Sequence, residues 1–124
     1  MTVVWVFLGG GLGSAARYLA GQWAAATLGV NFPYGTLIVN MTGCFGLGLV
    51  VQLAIAGSWH GDLRAAVAAG FLGGFTTYSS FNQETMALWS SGASGAALIN
   101  ITMTLAGGLA AGALGAAAGR LAQS

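Results

Sequence analysis

The sequence predicts an all-α integral membrane protein with four transmembrane helices, the third broken near mid-membrane. Three observations carry that expectation: charges are almost absent, turn signals recur at the interval of a membrane span, and one polar, glycine-rich stretch falls inside an apolar run. Of 124 residues, 56% are hydrophobic and 4% charged, whereas a soluble domain carries about a quarter charged residues to hold its surface in water. The charged inventory is Arg17, Asp62, Arg64, Glu84 and Arg120, with His60 beside them. Residues 18–59 and 85–119 contain no charge, and a bilayer crossing takes roughly 20 apolar residues.

Breaks define the spans in order. The first, residues 3–28, begins in "MTVVWVFLGG", with no basic region and no cleavage site ahead of a polar domain, so it is expected to stay as a helix rather than be removed. "GVNFPYG" contains the only proline and ends it. The second span, residues 35–56, runs to "AGSWHGD"; the third, 63–89, to "SSGASG"; the fourth covers 96–121. Connections this short leave a single four-helix transmembrane domain, residues 1–124. Trp5, Trp23, Trp59 and Trp89 fall near span ends, where amphipathic rings favour the headgroup level. Gly9 and Gly13, and Gly108, Gly112 and Ala116, form small-xxx-small faces that let helix backbones approach closely.

Several function classes are excluded by inventory. One cysteine, Cys44, gives no intrachain disulfide, and one Cys with one His gives no metal site of that type. A net charge of +1 offers no basic patch for nucleic acid. No pair of residues resembles a nucleophile and its base, so no enzyme is expected. Four helices enclose too little for a wide aqueous path, which points to an oligomer. With an even number of spans, Arg64 and Arg120 share a side and Arg17 lies nearer the other. That weak positive-inside bias allows insertion both ways up, hence an antiparallel dimer.

The polar residues carry the functional reading. In "GGFTTYSSF", residues 73–81, glycines and paired threonines disfavour helix at the middle of the third span. Non-helical backbone at that depth survives only when buried in protein or lining a cavity. Its freed carbonyls are cation ligands, and its freed N–H groups or hydroxyls are anion donors; alternatively its own hydroxyls fill a simple kink. Thr36 and Asn40 are four apart on the second span, Tyr78, Phe81 and Glu84 follow at three-residue steps on the third, and Asn100 and Thr104 are four apart on the fourth. Each can tie neighbouring helices together, but three such faces in one small bundle suggest a shared polar track. Arg17, halfway along the first span, is either tethered in protein or facing a vestibule, where its charge favours anions. Asp62 and His60 read as loop residues in water.

These residues resemble a known family. "GGFTTYSSF" is similar to the Gly-Gly-x-Thr-Thr-Phe-Ser-Thr-Phe signature of the small fluoride channels, the Fluc or CrcB family. "GGGLGSAARY", "GTLIVNMTG" and "LRAAVAAGFLGG" agree in order and spacing, while the fourth span matches only in character. The resemblance implies passive fluoride export across the inner (plasma) membrane by a dual-topology homodimer. It also implies a central structural sodium ion, held by the backbone carbonyls of Gly73 and Thr76 from both subunits. Tyr78 and Phe81 correspond to the family's pore phenylalanines and Asn40 to its pore asparagine. Arg17 corresponds to its first-helix arginine, and Glu84 to the acidic residue after the signature. Fluoride is small and strongly hydrated, so Asn40, Ser79, Ser80 and Thr104 are expected as donors replacing its water, with Thr36 and Asn100 extending the track. Positive ring edges favour an anion without trapping it. Tyr78 departs from the usual phenylalanine and Ser80 from threonine. The competing readings are a proton-coupled exporter, for which only Glu84 approaches a suitable position, and a non-transporting membrane scaffold, which leaves the polar faces unexplained.

Overall fold

The computed structural model describes residues 1–57 and 59–123; Ser58, in the second predicted break, lies outside the described residues. Helix α1 spans Thr2–Leu28 and α2 spans Tyr34–Gly57. Helix α3 covers residues 61–75, α4 spans Tyr78–Ser90, and α5 spans Ser94–Leu121. No strand occurs among the described residues. Three of these helices, Thr2–Leu28, Tyr34–Gly57 and Ser94–Leu121, are each long and apolar enough to cross a membrane. Residues 61–90 form the remaining helical run, divided between α3 and α4.

Local chemistry sets the ends. Gly29 takes φ 91° and Gly92 takes φ 88°, left-handed values that suit glycine, and they close α1 and the turn after α4. At α4 the Thr77 side chain accepts the Ser80 N–H at 3.1 Å, an N-cap that starts the helix anew. Two stretches are π-helical, Ala65–Leu72 in α3 and Met103–Gly107 in α5. Such wide turns move every later side chain to a different face and recur at functional sites.

The bundle packs through small residues. Helix α1 lies against α3, and α2 against the C-terminal half of α5. Among the described residues, the largest side chains under 2% exposed are Val39 and Asn100. Large apolar residues such as Phe7, Leu12, Ile55 and Leu109 point outward. That inverted pattern fits a surface bathed in lipid, where helix association rests on close packing. A Cβ on Gly13 would overlap the Phe71 carbonyl, and one on Gly115 the Phe45 carbonyl, so in both cases backbone would have to shift. Gly11, by contrast, faces open space. Gly13→Ala and Gly115→Ala are therefore expected to destabilise by about 1–3 kcal/mol, lowering the melting temperature in detergent. Gly11→Ala should be neutral or slightly stabilising, since alanine is the better helix former. Equal effects at all three positions would contradict this packing.

Candidate functional site

Between α3 and α4 the backbone leaves helical geometry for two residues. Thr76 has φ −83°, ψ 156° and Thr77 has φ −150°, ψ 117°, both extended. In a continuous helix the Thr77 N–H would donate to the Gly73 carbonyl and the Ser80 N–H to the Thr76 carbonyl. Instead the Thr77 N–H donates to Asn40 Oδ1 at 2.8 Å, and the Ser80 N–H to Thr77 Oγ1 at 3.1 Å. The Gly73 and Thr76 carbonyls thus lose their helical donors. The Leu72 carbonyl keeps one, from the Thr76 N–H at 3.0 Å, and takes a second from Thr76 Oγ1 at 3.0 Å.

Other helices supply what the interruption removes. From α2, Asn40 Nδ2 donates to the Thr77 carbonyl at 3.0 Å, so one amide side chain both gives to and takes from the same backbone residue. From α1, Arg17 Nε donates to the Gly74 carbonyl at 3.1 Å, and Ser14 Oγ approaches the same oxygen at 3.5 Å. Orphaned carbonyls at a helix end must find donors, and a cation at a helix C-terminus also meets the negative end of its dipole. Arg17 is therefore tethered, and its charge is partly offset where it lies. Thr77 enters the sequence reading only as one of the paired threonines and Ser14 not at all; the signal for Ser14 is its three-residue spacing from Arg17.

A cleft of about 300 Å³ opens beside the interruption. Asn40, Tyr78, Phe81 and Thr104 line it, together with Gly73, Thr76, Thr77 and Cys44. Its remaining wall is apolar, from Leu47, Leu72 and Leu105. Phe81 is buried and Tyr78 is 76% exposed; their rings meet edge-to-face at 5.7 Å. Cys44 is a free thiol in this wall.

The other sequence-singled residues sit outside this cleft. Thr36 Oγ1 donates to Glu84 Oε1 at 2.5 Å, joining α2 to α4. Glu84 faces a separate cavity of about 440 Å³, beside Asn31, Pro33 and Ser91. Ser79 Oγ lies 3.2 Å from Thr77 Oγ1, and Ser80 contributes its backbone N–H to the cap. Asn100 is 1% exposed and donates to Thr85 Oγ1 at 2.9 Å, which in turn donates to the Phe81 carbonyl at 2.7 Å. Asp62 accepts from Thr2 Oγ1 at 2.6 Å, and His60 Nδ1 accepts the Asp62 N–H at 3.3 Å, capping the start of α3.

Long apolar helices with outward-facing hydrophobic residues, around a small cleft at a helix interruption, define a multi-span integral membrane protein. The family follows from comparison with known proteins. The chain belongs to the family described as CrcB-like protein, Camphor Resistance (CrcB), whose model matches residues 4–116. It is 42% identical over 123 residues to the fluoride-specific ion channel FluC of Acidobacterium capsulatum, covering 96% of each chain. It is 50% identical over 107 residues to the FluC of Anaeromyxobacter dehalogenans, covering 86% of this chain and 85% of that one. Against the FluC of Thermus thermophilus it is 48% identical over 94 residues, 76% of this chain and 74% of that one.

Proposed function

We propose that this chain is a fluoride-specific channel that lets the ion leave the cytoplasm passively across the inner membrane, and that it is not an enzyme. The observation that carries this is the cleft in which an amide, a hydroxyl and two aromatic rings lie together beside the helix interruption, in a chain related to fluoride-specific channels. In this reading Asn40 and Thr104 act as donors to the ion, and Tyr78 and Phe81 present ring edges along its path. Ser79 and Ser80 stand at the start of α4, Thr36 and Glu84 belong to an outer vestibule, and Asn100 supports the wall. Arg17 raises the local positive potential. A weak set of donors suits conduction, because the ion must also leave.

The test is flux from liposomes containing the purified protein. Fluoride is expected to leave down its gradient, to follow an imposed voltage and to need no proton gradient, while chloride is nearly excluded. Strict one-for-one exchange of fluoride with protons would instead establish an exporter. Tyr78→Phe should leave flux nearly unchanged, because the ring and its edge contact with Phe81 remain; a large loss would assign the hydroxyl to the ion.

The assembly belongs to the same proposal. Two copies in opposite orientations would meet at the interruption near mid-membrane, each helix pair flanking one of two pathways. The chemistry of the donor set suits a sodium ion between them. The Gly73 and Thr76 carbonyls are hard neutral oxygens without their helical donors, and Gly73 is exposed on the single chain, within reach of a second copy. Bound there, sodium would supply positive charge that holds the facing carbonyls of the two subunits together.

A further inference from the structure

We infer that Asn40 is a positioning residue for the third span: its side chain holds Thr77 extended and so keeps α3 and α4 from joining. The two bonds to Thr77, 2.8 Å in and 3.0 Å out, are those a neighbouring β-strand would make. A carboxamide sets a neutral acceptor and a neutral donor side by side on one short planar group, whereas a neutral imidazole holds them at separated ring positions and glutamine has a longer reach. The effect on the backbone is specific. Without Asn40 the Thr77 N–H has an alternative partner in the Gly73 carbonyl, four residues earlier, and taking it would extend the helix.

The geometry also limits what Asn40 can give an ion. Its amide has two N–H bonds, and one is committed to the Thr77 carbonyl. A single N–H remains to face the cleft, in a fixed direction, because the clasp removes the rotation of the side chain. Asn40 is half-buried and lines that cleft beside Thr104 and Phe81. Its consequence for conduction rests on the channel reading; the clasp itself does not.

The test reads backbone conformation, with flux as a second measurement. Threonine labelled with ¹³C and ¹⁵N in the full-length protein gives a Thr77 signal, assigned by its loss in Thr77→Ser. In the wild type its Cα and Cβ shifts should be those of extended backbone. In Asn40→Ala they should move to helical values. Asn40→Asp keeps an acceptor for the Thr77 N–H and should retain extended shifts while losing fluoride flux. Phe81→Ala should also retain them. Wild-type Thr77 shifts in a folded Asn40→Ala protein would overturn the inference, as would the same collapse in Phe81→Ala. If Asn40→Ala does not assemble, the wild type still decides: its Asn40 amide protons should exchange slowly and show a through-space contact to the Thr77 N–H. Rapid exchange without that contact would overturn the clasp. A wild type that clasps but carries no fluoride refutes the channel and not the positioning role.

Discussion

Asn40→Ala and Phe81→Ala should each reduce fluoride flux severely while the protein still assembles. A hydrogen bond to a charged group is worth ~1.5–3 kcal/mol, so losing the Asn40 donor should lower flux by roughly 10- to 100-fold, at about 1.4 kcal/mol per decade. Loss of the clasp to Thr77 adds to this. Phe81 is buried and lines the cleft, so truncating it to alanine opens a gap in that wall. Truncating a buried phenylalanine also costs ~3–5 kcal/mol of stability in soluble cores. Size-exclusion profiles must therefore accompany the flux, to separate an unfolded protein from a closed path. Near-normal flux in both assembled variants would remove the two residues from the pathway.

The second large effect concerns the cation. If the Gly73 and Thr76 carbonyls of two copies hold sodium, extraction and purification in a large organic cation throughout should weaken the dimer and silence flux together. Returning sodium should restore both; restoring it to a Gly73→Pro variant should not, because proline's ring would strain the wide turns leading to Gly73. Dimer stability and flux that are both indifferent to the replacement would rule the site out. Conversely, an effect on flux with the dimer intact would place the cation on the conduction path and not at the subunit contact.

Much of the fold was legible because a membrane imposes simple rules. Sparse charge and spaced turn signals give the helical membrane class, and Pro33 and Gly92 mark breaks that the helix ends respect. Polar partnerships were less legible, because they depend on which helices touch. The four-residue spacing of Asn100 and Thr104 suggests one shared face. The π-helical turn at Met103–Gly107 begins between them, and only Thr104 lines the cleft while Asn100 is turned onto Thr85. Thr36 and Asn40 share the same spacing, yet one binds the Glu84 carboxylate and the other the Thr77 backbone. Residues 73–81 stood out as poor helix from their glycines and threonines alone. That two residues leave helical geometry, and that Asn40, Arg17 and Ser14 answer for the lost bonds, is tertiary information.

Those three answering side chains come from α1 and α2, which precede residues 61–90 in the chain. During synthesis, α1 and α2 are therefore already made when residues 61–90 emerge, and the interruption can be set as α3 and α4 dock. A peptide of residues 61–90 alone in a bilayer has none of these donors, and its cheapest state is one uninterrupted helix. Moving α1 and α2 behind α3, α4 and α5 by circular permutation would reverse this order. Residues 61–90 would then form one closed helix and have to be reopened in lipid, where breaking each backbone bond is costly. Slow or failed assembly of that permutant, against prompt assembly of the natural order, is the expected signature of a break dictated by its neighbours.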